Sequence, residues 1–294
     1  MKPFLNILVG VNYTESSRHA LVEAKRIADE NGAKITACHV VPIGDLTEFV
    51  DFYFIEHKIM LNAAQSSLEG FADEVLGKNH DIICRISEGI PHHELVSKAN
   101  EEGHDLLILG DESHNENAAQ FVIKCLRFAT MPILLVNPPL NTPGPVAACI
   151  DFSKSTTAIF ENIARMNFEP ISSLDVIHSS RPPWLRPLRL RYRAEIHKDS
   201  GIKEEFREIL HGRLAVACEQ ASSLIAGQVA PVLLEDEDPT EALVQHLEKS
   251  NYRLVVIGRA GKGFKSLVSD LLGGTAESVV RQAKTNVLIV PIQG

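Results

Sequence analysis

The sequence predicts an α/β protein made of two tandem doubly wound domains, each with a five-stranded parallel sheet flanked by helices. Two observations predict this class. Short apolar segments alternate with segments of helical periodicity along the 294 residues, and the whole pattern occurs twice. Strands that are rich in Ile, Val and Leu on both faces are typical of a parallel sheet covered by helices. Right-handed crossovers then wind each half in both directions from its first strand.

The first half contains five such apolar segments. We predict strands near residues 4–11, 34–41, 81–87, 105–110 and 132–136, with helices between them. The segment "PHHELVSKANEEGHDLLILG" illustrates the pattern, because Pro opens a helical stretch that leads into an apolar strand ending in Gly. Pro is favoured at the first position of a helix, where its missing N–H costs nothing.

The second half repeats these elements in the same order. "ILVGVNYTESSRHAL" matches "VAACIDFSKSTTAIF", "PHHELVSKANEEGHDLLILG" matches "PTEALVQHLEKSNYRLVVIG" without gaps, and "MPILLVNP" matches "TNVLIVPI". The stretch "NPPLNTPGP" separates the two copies, and its Pro, Asn and Gly residues disfavour both helix and sheet interiors. The sequence therefore predicts two domains, residues 1–140 and residues 145–294.

Charge and composition exclude several classes of protein. The net charge is −9, and all of it belongs to the first 140 residues, which hold 20 acidic and 11 basic residues. The sequence lacks the excess of basic residues that is typical of a nucleic-acid-binding domain. The sequence has neither an apolar run of about 20 residues nor the pattern of a signal peptide, so we expect no membrane association and a cytoplasmic location. The five widely spaced cysteines favour reduced thiols over a disulfide framework.

A glycine-rich stretch, "GRAGKGFKSLVSDLLGGTAESVV", approaches a P-loop but does not form one. In a P-loop the lysine directly follows the last glycine, whereas here Phe264 stands between Gly263 and Lys265. One inserted residue rotates the lysine by about 100° around a helix. A dinucleotide fingerprint is also excluded, because the glycines lie near the end of the chain and not after a first strand.

Several of these features together resemble the universal stress protein family in a tandem two-domain form. They are the two five-stranded α/β repeats, "IDFS" after the first strand of the second copy, and the G-x2-G and "LLGGTAESVVRQAKTNVLIVP" segments near the end. The resemblance covers both halves and is most specific in the second. It implies a stress-response role that depends on a nucleotide-controlled conformation or assembly state. It implies no well-defined reaction, so we expect at most slow ATP hydrolysis.

The resemblance also implies a ligand, ATP or another adenine nucleotide with or without Mg²⁺. ATP-binding members carry G-x2-G-x9-G-(S/T), in which the loop after the fourth strand and the next helix start hold ribose and phosphates. Asp151 matches the acidic residue that contacts the adenosine part, and Val176 matches the residue whose backbone meets adenine. We expect Asp151, Val176 and Gly258 to lie at or just past the carboxyl ends of their strands, so that they can converge. Eleven residues separate Gly261 from Gly273, where the family pattern has nine. The predicted nucleotide-binding residues are Asp151, Val176, Gly258, Arg259, Gly261, Gly273, Gly274, Thr275 and Ala276.

Physical chemistry agrees with this assignment in outline. We expect Gly273 and Gly274 to adopt the positive φ that turns successive N–H groups toward an anion. We expect Thr275 to be the N-cap of the next helix, whose N-terminus favours phosphate oxygens. Arg259 and the lysines of the loop add positive charge. The alternative is that the apolar residues between 264 and 272, at helical spacing, form an amphipathic helix and the loop only packs.

The first half lacks the residues of this nucleotide-binding pattern. After Gly110 comes "DESHNENAAQFVIKCLRF", which has no second glycine and no G-(S/T) pair. Asp111, Glu112 and Glu116 would repel phosphate, and Asn12 takes the place of the aspartate. We therefore predict that the first half binds no nucleotide and serves as a partner domain, as in a homodimer or an intramolecular pseudo-dimer.

One arginine-rich segment is a candidate docking surface for a protein partner. "RPPWLRPLRLRYR", Arg181–Arg193, contains five arginines together with Trp184 and Tyr192. These residue types dominate the energetics of protein interfaces. The alternative interpretation is a solvated insertion that pairs with the acidic first half.

No catalytic or metal-binding constellation is evident in the sequence. His92 and His93 are adjacent, so on a helix they point about 100° apart and cannot easily share an ion. The acidic run "EDED" stands where a strand meets a helix and is predicted to cap that helix. An adenylating enzyme is disfavoured, because neither an SGGxDS loop nor a HIGH-like motif is present. A nucleotide-free interaction or dimerisation module of the same fold remains the alternative function.

Overall fold

The computed structural model describes residues 2–42, 50–112, 115–137, 144–167, 171–182, 200–259 and 273–291. Within these ranges the chain alternates strands and helices. The strands are β1 (Asn6–Gly10), β2 (Lys34–Val41), β3 (Ile82–Glu88), β4 (Leu106–Gly110), β5 (Ile133–Val136), β6 (Val146–Cys149), β7 (Ser173–Ser180), β8 (Gln228–Glu235), β9 (Leu254–Gly258) and β10 (Asn286–Val290). The helices are α1 (Glu15–Asn31), α2 (Val50–Leu76), α3 (Pro91–Glu101), α4 (Glu116–Phe128), α5 (Ser155–Arg165), α6 (Ser200–Leu224), α7 (Pro239–Lys249) and α8 (Gly274–Gln282).

The strands form one continuous sheet in the order β3-β2-β1-β4-β5-β10-β9-β6-β7-β8. Each half therefore has the same doubly wound order, and its strands pair in parallel, as the sequence predicts. The two halves meet at β5 and β10, which pair antiparallel with Leu288 opposite Leu134. This pairing relates the halves by a pseudo-twofold axis and turns two five-stranded sheets into one. The strand patterns did not predict that junction.

Helix ends follow local chemistry. Thr14 caps α1 by accepting the Ser17 N–H, and Gly32 ends the helix at φ 68° in the left-handed region that glycine tolerates. Asp238 accepts the N–H groups of Thr240 and Glu241 at the start of α7, which also has Pro at its first position. The acidic run before α7 thus supplies a helix cap, as predicted.

The apolar residues form two core layers, one on each face of the sheet. One layer contains Ile7, Val9 and Leu21 from the first half together with Val146 and Phe160 from the second. The other layer likewise combines residues of both halves, under α3, α4, α7 and α8. Both layers therefore continue across the β5–β10 junction, and the two halves share their cores.

Polar contacts add to this junction. The Arg165 guanidinium lies 4.0 Å from the centroid of the Phe4 ring and 3.4 Å from the Asp105 carboxylate, so it joins the second half to the first. Arg281 of α8 donates to the Glu116 carboxylate of α4 at 2.9 Å. Hydrogen bonds from Gln120 and Arg281 lower the pKa of that carboxyl.

Close packing fixes one glycine at a strand end. A Cβ on Gly110 would lie 2.4 Å from the Ser16 carbonyl carbon, a backbone atom that cannot move aside. The end of β4 therefore lies directly against the start of α1 in the first half. Among the described helices, none is long and apolar enough to cross a membrane.

Candidate functional site

The candidate site lies where the winding of the second half reverses direction. In the sheet, β6 lies between β7 and β9, and Cys149 of β6 pairs with Ile257 of β9. Asp151 follows β6 and Gly258 ends β9, so the structure places them at the same edge. Ligands of doubly wound sheets bind outside the carboxyl ends of the strands at such a switch point.

Asp151 begins the turn that leads into α5. Its Oδ1 accepts the Ser153 N–H at 3.0 Å, and Phe152 between them has a φ of 57°. The Phe152 ring packs on His178, with ring centroids 4.2 Å apart. Tyr13 repeats this arrangement in the first half, with a φ of 64° and a ring centroid 4.6 Å from that of His39. The turn is therefore the same in both copies, and it holds Asn12 and Asp151 in equivalent positions.

One hydroxyl near Asp151 has no hydrogen-bond partner among the described residues. Thr156 is 7% exposed, and its Oγ1 is buried and unpaired. The equivalent Ser17 hydroxyl in the first half donates to Asn12 Oδ1. A buried polar group without a partner costs about 1 to 3 kcal/mol, so Thr156 is a candidate ligand contact. Thr156 is not among the residues predicted above, although the aligned segments "NYTESS" and "DFSKST" place Ser17 and Thr156 at the same position.

The start of α8 lies beside the end of β9. The Gly273 N–H donates to the Arg259 carbonyl at 2.9 Å, which joins the two ends of the intervening segment. Gly273 is the N-cap, with φ −67° and ψ 140°, and it offers no side chain to accept the first helical N–H groups. Those groups are the anion-binding element of a helix N-terminus.

Two expectations about this helix start are wrong. Thr275 is not the N-cap, since α8 begins at Gly274, and its hydroxyl lies 2.9 Å from the Thr240 hydroxyl. Gly273 has a negative φ, and Gly274 is the first residue of the helix, so neither provides a left-handed turn. Ala276 is 2% exposed and packs into the core. The groups of this segment that can donate hydrogen bonds to an anion are therefore its backbone N–H groups.

Arg259 lies at the site through its backbone, but its guanidinium extends to the other half. Its N–H donates to the Val290 carbonyl at 2.8 Å, as expected for a residue that continues β9. Its Nη1 donates to the carbonyl oxygens of Leu126 and Ala129, at 3.1 and 2.8 Å. These carbonyls belong to the C-terminal end of α4, where a cation is favourable. The described contacts of this guanidinium therefore serve the junction of the two halves.

Val176 is not at the carboxyl end of its strand, contrary to expectation. β7 continues to Ser180, and Val176 pairs with Ala148 and Pro231 inside the sheet with its side chain fully buried. The apolar run ends at Ile177, which suggested an early strand end, but parallel pairing with β8 continues through polar residues. The side chain that reaches the Asp151 turn is His178, whose Nδ1 lies 2.9 Å from the Ile150 carbonyl.

Some predicted residues lie outside the described residues. Gly261 belongs to the segment 260–272, which the structure does not describe, as do Lys262 and Lys265. Of the arginine-rich stretch Arg181–Arg193, only Arg181 and Pro182 are described. Both therefore stay predictions.

The first half contains a cavity of about 450 Å³ at the equivalent switch point. We call it the first-half cavity. It is lined by Gly10, Val11, Asn12, Ser17, Cys38, His39, Val40, Pro42, Pro91, Leu95, Leu109, Gly110, Glu112, Asn115, Asn117, Ala118, Phe121 and Val122. The Glu112 carboxylate accepts the Asn12 Nδ2–H at 3.2 Å, and Asn115 caps α4 by accepting the Asn117 N–H at 3.0 Å. A side chain thus accepts one N–H at the start of α4, which Gly273 cannot do at the start of α8.

The titratable groups elsewhere indicate structural roles. The five cysteines are free thiols, and burial raises the pKa of Cys149 to about 12 and that of Cys84 to about 11. Such thiols stay protonated near neutral pH and are poor nucleophiles. Among the residues that the structure describes, no group of three or more His, Cys, Asp or Glu side chains is arranged to hold a metal ion.

Comparisons with known proteins agree with the architecture. The universal stress protein family model matches residues 3–136 and 144–291. A universal stress protein from Archaeoglobus fulgidus DSM 4304 has a TM-score of 0.65 at 17% identity, covering 99% of this chain and 98% of that chain. A functionally unknown protein from Pseudomonas aeruginosa PAO1 has a TM-score of 0.65 at 18% identity, covering 99% and 93%. A universal stress protein solved in complex with cAMP covers 46% of this chain and 97% of its own, at 19% identity and a TM-score of 0.35. No curated protein matches the chain significantly.

Proposed function

Because the chain belongs to the universal stress protein family, we propose that its second half binds one adenine nucleotide at the edge formed by β6, β9 and the start of α8. One observation carries this proposal, the glycine start of α8 beside the end of β9. The first helical N–H groups there receive no side-chain acceptor from their N-cap, so a phosphate can accept them. The helix dipole favours that anion by about 0.3 to 1 kcal/mol.

The neighbouring residues fit such a ligand. Asp151 carries a carboxylate at the adjacent strand end, suited to the hydroxyl groups of a ribose. The Thr156 hydroxyl is buried and without a partner among the described residues, so it would gain one from a polar ligand. When bound, the nucleotide supplies the phosphates and brings Mg²⁺ with them, since phosphate oxygens are common Mg²⁺ ligands. We expect at most slow hydrolysis, and the proposal assigns no catalytic residue.

In this proposal the first half binds no nucleotide. The Glu112 carboxylate lies in the first-half cavity, where a phosphate would have to approach it. Asn115 already accepts an N–H at the start of α4, so that helix start is less available to an anion. Asn12 suits this site because its amide can donate to Glu112, whereas an aspartate would repel it.

The alternative function is a nucleotide-free interaction module of the same fold. Arg259 favours it, because its guanidinium stabilises the junction of the halves through two α4 carbonyls. A regulatory or assembly role in the stress response, a cytoplasmic location, homodimer formation and a partner at Arg181–Arg193 all stay predictions.

Calorimetric titration of the full-length, nucleotide-stripped protein with ATP, ADP and AMP tests the proposal. We expect one site per chain, a loss of affinity of at least tenfold in Asp151→Ala, and unchanged affinity in the matched variant Asn12→Ala. Circular dichroism confirms that each variant is folded. Two sites per chain would contradict the assignment of the halves. A loss of nucleotide affinity in Asn12→Ala but not in Asp151→Ala would contradict it as well. No binding by the wild-type protein would support the interaction module.

A further inference from the structure

The first-half cavity has the size and shape of a small-molecule site. Its volume of about 450 Å³ lies within the range of roughly 300 to 1,000 Å³ of ligand pockets. Its walls are largely apolar, with Leu95 from α3, Leu109 from β4, and Phe121 and Val122 from α4. Such walls receive the hydrocarbon or aromatic body of a ligand and exclude water from around its polar group.

The charge of the cavity selects against anions. Glu112 is the acidic side chain among the described lining residues, and none of these residues is Lys or Arg. The Glu112 carboxylate repels phosphates and carboxylates, more strongly in a partly buried setting than in water. The first-half cavity therefore differs in ligand class from the site proposed in the second half.

Several polar side chains line the cavity beside Glu112, among them His39 and Ser17. Glu112 Oε1 accepts one hydrogen bond from Asn12. Among the described residues, none donates a hydrogen bond to Glu112 Oε2. His39 Nδ1 lies 2.8 Å from the Val11 carbonyl, which can only accept, so Nδ1 carries the proton. The Ser17 hydroxyl already donates to Asn12. A ligand that pairs with the Glu112 carboxylate must bring an N–H or O–H donor.

We propose that the first-half cavity is a binding site for a small organic amine, whose ammonium group pairs with Glu112 while its apolar body lies between α3, β4 and α4. A charge-assisted hydrogen bond to a carboxylate is among the stronger polar contacts in proteins. The site is separate from the nucleotide site proposed in the second half, because it uses different strands and a different helix start.

Matched probes test this inference on the full-length protein. 2-Phenylethylamine and 3-phenylpropionate share a body and differ in the sign of their charge at neutral pH, as do tryptamine and indole-3-propionate. Each is titrated into protein with ¹³C-labelled Leu and Val methyl groups. The readout is the shift of the Leu95, Leu109 and Val122 methyl signals. The variants are Glu112→Gln and, as a matched control for net charge, Glu237→Gln at an exposed position in the second half.

The amines should shift these methyl signals saturably, and the two carboxylates should not at the same concentration. Glu112→Gln should weaken amine binding at least tenfold, and Glu237→Gln should leave it unchanged. A further variant, Ala118→Phe, fills the cavity and should abolish the shifts. Equal binding of amines and carboxylates, unchanged binding in Glu112→Gln, or no shift of these methyl groups with either amine would overturn the proposal. The methyl spectrum of each variant shows directly whether it is folded.

Discussion

Arg259 lies next to the candidate site, yet its guanidinium binds the other half of the molecule. Two of its hydrogen bonds go to the carbonyl oxygens of Leu126 and Ala129, at the C-terminal end of α4. Arg259, which was predicted to be a nucleotide-binding residue, therefore joins the two halves through its side chain in the described structure. The position of a residue in the sequence therefore predicts whether its backbone lies at the site. The role of its side chain follows only from the contacts that the side chain makes in the folded protein.

Removing this side chain should cost stability. Arg259→Ala leaves two carbonyl oxygens at the end of α4 without their cationic donor, so we expect the free energy of unfolding to fall by about 1 to 3 kcal/mol. Urea unfolding measures it. The control is Arg127→Ala, which removes an exposed arginine from the last turn of the same helix and should have a smaller effect. An Arg259→Ala effect no larger than that of the control would contradict the assigned role.

At the scale of elements, α4 and α8 occupy equivalent places and start differently. Asn115 accepts an N–H at the start of α4, whereas Gly273 leaves the start of α8 without a side-chain acceptor. The first arrangement stabilises a helix by itself. The second leaves N–H groups for a ligand, which is the difference that the proposed function depends on.

Gly274 tests the geometry of this helix start. It is the first residue of α8, and a Cβ there would meet nothing within 4 Å. Gly274→Ala should therefore raise the free energy of unfolding of the nucleotide-free protein by about 0.4 to 1 kcal/mol, because alanine loses less entropy on folding. Thermal unfolding followed by circular dichroism measures it. A clear destabilisation would mean that Gly274 needs a conformation closed to alanine, as the left-handed turn predicted from the sequence would require.

At the scale of the whole molecule, one sheet and two core layers run through both halves. The antiparallel β5–β10 pair joins the sheets, and each core layer contains residues from both halves. The halves therefore lack separate cores, although the sequence shows two complete repeats.

Shared cores predict cooperative unfolding. Methyl signals of Leu21 in the first half and Ile159 in the second should disappear at the same urea concentration, since opening either half exposes the core of the other. Leu134→Ala, at the junction and fully buried, should lower both midpoints together. Separate midpoints for the two signals, or a shift confined to the first half, would show that the halves are independent.

Much of this fold could be predicted from the sequence, and the site only in part. Buried parallel strands are apolar on both faces, so the number of strands and their positions along the chain follow from the local composition. The β5–β10 junction could not be predicted, since edge pairing leaves no local pattern. Val176 was misplaced because the apolar run ends before the strand does. The first-half cavity was missed because it arises from strand ends that meet in space, and its polar residues carry no motif.

Backbone amide shifts on ATP addition test the central claim most directly. Two-dimensional ¹H–¹⁵N spectra of the full-length protein report the Gly274, Thr275 and Ala276 amides of α8 beside the Asn117 and Ala118 amides of α4. We predict that ATP shifts the α8 amides saturably and leaves the α4 amides unchanged, because the nucleotide phosphates accept the open N–H groups of α8. Shifts at the start of α4 with none at the start of α8 would contradict the account.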